Sequence, residues 1–74
     1  MTMDVNEFAL KFGAIVSEPG LSPETALDDL DGWDSLGQVT FIAFARRQFG
    51  QVLNVEKMKF AKTVSDLYNL VSGG

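Results

Sequence analysis

Apolar residues recur at three- and four-residue steps in three stretches of the chain, the period of one helical face. In the first stretch these are Val5, Phe8, Phe12, Ile15 and Val16, and the spacing predicts a helix from about Asp4 to Glu18. Asp4 and Glu7 fall in its first turn, where the helix dipole favours negative charge. Gly13 weakens the interior slightly, and Pro19-Gly20 is the expected stop. From Leu21 to Asp34 the text is loop-like. Ser22 before Pro23 suits the start of a short helical turn, and Leu27 and Leu30 are the expected anchors to the core. Asp31-Gly32 is a turn signal.

Asp34 is placed to cap a second helix from Ser35 to about Phe49, with Gly50 closing it. The run Val39 to Ala45 would also serve as a buried strand; its length, the flanking Arg46-Arg47-Gln48 and the glycine stop favour helix. A short third helix is expected between Asn54 and Phe60. Thr63 and Asp66 have the spacing of a capping box, with Asp in place of Glu or Gln. They open a last helix whose face carries Val64, Leu67, Tyr68 and Val71. Ser72-Gly73-Gly74 reads as a flexible tail. The expected architecture is all-α: a small four-helix bundle of three main helices and one short one, with a long loop between the first and second.

Composition narrows the chemistry. Seventy-four residues suit one domain, residues 1–74, near the size at which a core must work hard to hold a fold. There is no cysteine and no histidine. Disulfides, Cys/His zinc sites and Ser-His or Cys-His catalysis are therefore excluded, and the chain is not expected to be an enzyme. Six basic residues against ten acidic ones give a net charge of −4. That balance argues against binding to nucleic acid or an anionic membrane. The acidic, polar start is unlike a signal peptide, and the longest apolar run, Phe41 to Ala45, is far short of the ~20 residues that span a bilayer. A cytoplasmic location is expected.

On a wheel at ~100° per residue, the second helix divides into two arcs. Phe41, Ile42, Phe44, Ala45 and Phe49 should face the core. Leu36, Val39 and Ala43, flanked by Thr40, Arg46 and Arg47, have the make-up of a protein-docking face, unless neighbouring helices bury both arcs. Arg46-Arg47 equally suits the negative end of the helix dipole. At the other end, Ser35 puts a hydroxyl on the first turn, among unpaired N–H groups that favour a phosphate ester. Serine at a helix start is usually a cap, but Asp34 already occupies that position, so Ser35 has no evident structural task. Trp33 beside it suits packing that would fix the loop.

These residues bring a family into view. The string Leu30-Asp31-Gly32-Trp33-Asp34-Ser35-Leu36, the helix closing at Phe49-Gly50 and the Thr63-Val64-Ser65-Asp66-Leu67 opening of the last helix resemble an acyl carrier protein over nearly the whole length. The resemblance implies that Ser35, flanked by Asp34 and Leu36, carries a 4′-phosphopantetheine arm attached by a phosphopantetheinyl transferase from coenzyme A. It further implies a monomeric shuttle that holds acyl groups as thioesters, while a ligase, acyltransferase or ketosynthase type of partner does the chemistry. Leu36, Val39, Thr40, Ala43, Arg46 and Arg47 match the partner-facing region. Phe41, Ala45 and Phe49 match core positions that border the acyl chain.

One departure bears on the pathway. Carriers of primary fatty-acid synthesis show acidic residues along the second helix, where this chain has Thr40, Arg46 and Arg47. Its carboxylates gather instead in the loop, at Glu24, Asp28, Asp29, Asp31 and Asp34. The expectation is a discrete carrier of a specialised route, such as polyketide, modified-lipid or other secondary acyl transfer. Peptidyl carriers usually show Gly-Gly-x-Ser where this chain has Gly-Trp-Asp-Ser. An EF-hand register with Gly32 at the sixth position fails, since Leu27 and Gln38 fall where Asp and Glu are needed, and no metal site is expected. Gly73-Gly74 would suit a ubiquitin-like sulfur or protein carrier, but the helical periodicity opposes that sheet-based fold. The main rival is a helical adaptor that binds a partner through its second helix with no prosthetic group.

Overall fold

The computed structural model describes residues 3–72; the Gly73-Gly74 tail and the first two residues lie outside that range. Among the described residues the chain is mostly helical and has no strand. It comprises α1 (Val5–Val16), α2 (Ser35–Phe49), α3 (Val55–Met58) and α4 (Val64–Val71), with a single 3₁₀ turn at Leu27–Asp29. None of these helices is long and apolar enough to cross a membrane.

Each α-helix begins where a side chain takes up an orphan backbone N–H. Asp4 accepts from Glu7, Asp34 from Gly37, Asn54 from Lys57 and Thr63 from Asp66. α2 runs between the bounds its sequence predicts, capped by Asp34 and closed by Gly50 in the left-handed conformation. The helix reading of Val39 to Ala45 thus holds over the strand. α4 opens with the full reciprocal capping box of Thr63 and Asp66.

Four expectations need correction. α1 stops at Val16, short of Pro19-Gly20, because Ser17 turns left-handed (φ 58°) and its N–H closes on Gly13. Gly13 is a close-approach residue, more than a weak spot in a helix: the N–H of Glu18 returns to its carbonyl at 2.9 Å, and a Cβ there would sit 2.6 Å from the Glu18 oxygen. Ser22-Pro23 opens a hydrogen-bonded turn closed by Thr25, and the helical turn of this loop comes later, at Leu27–Asp29. α3 is also shorter than expected, because its Asn54 cap and Lys59 boundary leave one turn.

The core is one continuous cluster built around Phe8. Five rings stand round it, those of Phe12, Phe41, Phe44, Phe49 and Tyr68, with centroids 5.3–6.2 Å away. α1 packs on both α2 and α4 through this cluster. Val64, Leu67 and Val71 bury the inner face of α4, and Leu27 and Leu30 anchor the long loop as expected. The loop is stitched to the start of α4 by backbone hydrogen bonds from Leu27 to Lys62 (2.9 Å), Val64 to Thr25 (3.1 Å) and Ser65 to Pro23 (2.8 Å). An isolated antiparallel bridge between Ala26 and Thr63 marks this seam.

Candidate functional site

The long loop delivers the chain to α2 in a tightly held way. Leu30 is buried, and the N–H of Trp33 closes a turn on its carbonyl at 3.1 Å. The Trp33 indole packs on Phe12 (5.2 Å) and edge-on to Phe41 (5.8 Å), so this aromatic fixes the loop to the core. Gly32 lies against the Val16 carbonyl, and Gly37 against the Gly32 carbonyl, each closer than a side chain would permit.

Asp34 then caps the helix. Its Oδ1 accepts the Gly37 N–H at 2.9 Å, and its carbonyl accepts from Gln38 at 2.9 Å. Ser35, the first helical residue, and Leu36 after it are exposed. The Ser35 hydroxyl therefore sits at the positive end of a fifteen-residue helix, beside N–H groups that have no partner within the helix. That environment favours an anionic ester. The exposed carboxylates of Asp28, Asp29, Asp31 and Asp34 oppose it, an effect that salt screens within about 8 Å. An ester on Ser35 would face solvent, and nothing buried would need to move. The residues fit a phosphodiester-linked arm. Among the described residues no three carboxylates gather into a cation site.

Beyond Ser35 the two arcs of α2 separate as the wheel divides them. Phe41 and Ala45 are fully buried, with Ile42, Phe44 and Phe49 packed partly against the core. On the other side Leu36 is 75% exposed and Val39 61% exposed, and Thr40, Ala43, Arg46 and Arg47 are exposed with them. The alternative in which neighbouring helices bury both arcs is excluded. The Thr40 hydroxyl donates to the Leu36 carbonyl at 3.0 Å, so its proton is used within the helix. Arg46 and Arg47 lie in the last turn, where cations suit the dipole.

Two open clefts follow the α1–α2 seam from this point. One, of about 280 Å³, lies beside Asp34 and Leu36 and is lined also by Ile15, Gly32 and Thr40. The next, of about 300 Å³, shares Ile15 and Thr40 and continues past Ala43 and Phe44 to Arg47 and Gln48. Sequence reading assigns Ile15 and Phe44 to the core and gives Gln48 no role; each also lines this groove. Half-buried positions such as Ile15 and Phe44, on the shoulder of a helical face, leave no distinct mark in periodicity. Searches against protein-family models, curated proteins and solved structures return no match.

Proposed function

We propose that the chain is a discrete acyl carrier protein, a single-domain, monomeric and cytoplasmic four-helix bundle serving a specialised acyl-transfer route. The observation that supports this reading most is the solvent-exposed Ser35 hydroxyl on the first turn of α2, with the capping position already occupied by Asp34. Ser35 Oγ would bond to the β-phosphorus of coenzyme A within a phosphopantetheinyl transferase. The pyrophosphate P–O bond would break, adenosine 3′,5′-bisphosphate would leave, and the serine proton would pass to a base of the transferase. When attached, the 4′-phosphopantetheine supplies the thiol that this cysteine-free chain lacks, and that thiol holds an acyl group as a thioester.

The loop carboxylates give a transferase with a basic surface an electrostatic target around Ser35. Leu36, Val39, Thr40 and Ala43 form the apolar middle of a face for acyl-loading and acyl-processing enzymes, with Arg46 and Arg47 at its far rim. The arginines would repel enzymes whose docking patch is basic, which is why primary fatty-acid synthesis is not the proposed setting.

The test is intact mass after incubation with coenzyme A and a promiscuous phosphopantetheinyl transferase, with Ser35→Ala in parallel. One added phosphopantetheine on the wild type alone supports the carrier reading. No gain on folded, helical protein overturns it. The exposure of Leu36 and Val39 would then favour a helical adaptor that binds a partner without a prosthetic group.

A further inference from the structure

The carrier reading leaves open where the arm rests, and the side chains around α2 limit the choices. The interior beneath α2 is filled: Phe8, Phe12 and Phe41 are fully buried, with the Phe12 and Phe41 centroids 5.6 Å apart, and Ala45 has no exposed surface. An acyl chain entering there would have to displace packed rings, and a well-packed core resists added volume. The α1–α2 groove, in contrast, is open and begins at Asp34 and Leu36, the two neighbours of Ser35 in the chain.

Its dimensions suit a tethered occupant. From Ser35 to Arg47 is twelve residues of one helix, a rise of ~18 Å. An extended chain advances about 3.5 Å per three bonds, so the roughly fifteen bonds from serine oxygen to arm sulfur reach ~17 Å. Leu36, Ile15, Ala43 and Phe44 give the groove apolar walls, with Thr40 between them, a mixture that suits the dimethyl and methylene parts of a pantetheine and its amides. It ends at the Arg47 guanidinium and the Gln48 amide.

Resting on the carrier reading, we infer that the α1–α2 groove holds the phosphopantetheine arm of Ser35 along its length and sets the thioester beside Arg47 and Gln48. An acyl group held there meets a cation and an amide. The groove therefore favours short acyl groups that end in a carboxylate, such as dicarboxylate half-thioesters, over plain alkyl ones. Arg47 acts as a specificity residue, and Ile15 and Ala43 as the walls that seat the arm.

The experiment compares methyl and arginine side-chain NMR spectra of unmodified protein with protein loaded by the transferase from coenzyme A, acetyl-coenzyme A or malonyl-coenzyme A. Loading is verified first by intact mass. The expected result is that the Ile15, Leu36 and Ala43 methyls shift on arm attachment, while those of Val64 and Val71 in the core stay in place. The Arg47 Nε–H and the Gln48 side-chain amide should shift further with malonyl than with acetyl, and Arg47→Gln, compared only in samples that intact mass shows to be fully loaded, should remove the difference at Gln48. Shifts confined to Leu36 would mean a free arm, and shifts centred on Ala45 would mean an arm in the core; either overturns the groove while leaving the carrier reading intact. Equal Arg47 shifts for the two acyl groups overturn the substrate preference. Failure to load at all overturns the carrier reading itself.

Discussion

Gly32 rests its Cα against the carbonyl oxygen of Val16, so the loop before α2 touches the last residue of α1 with no side chain between them. Gly37, one turn into α2, repeats the arrangement against the Gly32 carbonyl. These contacts bring the end of one helix, the loop and the start of the next together, and Ser35 is held between the two glycines. The position of the candidate attachment serine thus depends on two missing Cβ atoms.

Gly32→Ala should therefore destabilise the fold, because its new methyl meets backbone that has little freedom to retreat. Overpacking of this kind costs about 1–3 kcal/mol. Urea denaturation should show a lower midpoint with an unchanged slope, and a midpoint within error of wild type would contradict the close packing.

Removing the Asp34 carboxylate frees the Gly37 N–H at the start of α2. Asp34→Ala should cost about 1 kcal/mol, as for other helix caps. Asp34→Ser should recover most of it. If Asp34 also helps to present Ser35, modification by the transferase should slow in the alanine variant at temperatures where the protein remains folded. Equal rates in both variants would confine Asp34 to a structural role.

The two arcs of α2 should separate in mutagenesis. Leu36→Ala with Val39→Ala removes exposed apolar surface and should change stability by no more than about 0.5 kcal/mol per site. Phe41→Ala empties a fully buried ring position and should cost about 3–5 kcal/mol, enough to unfold much of a small domain. Thermal melts of the three variants measure the contrast directly. A large loss in the Leu36 and Val39 variants would show that this face is structural.

Asp66 ties stability to pH. The N–H of Lys62 (2.8 Å), then that of Thr63 (3.1 Å), donate to its Oδ2 and hold the carboxyl below the usual carboxylate range. Its stabilisation is complete above the unfolded-state value, about 4, and fades as pH falls through the lower folded-state value. Asp66→Asn should flatten that acid limb in a series of urea midpoints taken from neutral to acid pH. An unchanged acid limb would assign the loss to other carboxylates.

Much of the fold was legible because it is written locally. The Asp34 and Gly50 bounds of α2, the Thr63–Asp66 box and the buried faces carrying Phe8, Phe12, Val64 and Leu67 all follow from side chains within one or two turns of each other. The 3.6-residue period and the capping chemistry need no distant partner. By the same logic Ser35 stands out from sequence, since a serine next to an already capped helix start has no local task.

The tertiary structure decided what local rules leave undetermined. It ended α1 at Val16, because Ser17 turns left-handed and the N–H groups of Ser17 and Glu18 both close on the Gly13 carbonyl. It exposed Leu36 and Val39 while burying Phe41, a choice set by which side of α2 meets α1. It also opened the groove from Asp34 to Gln48, built from residues on two helices that the loop brings together. Periodicity records which face of a helix is apolar. Only packing between helices determines how much of that face remains open to hold something else.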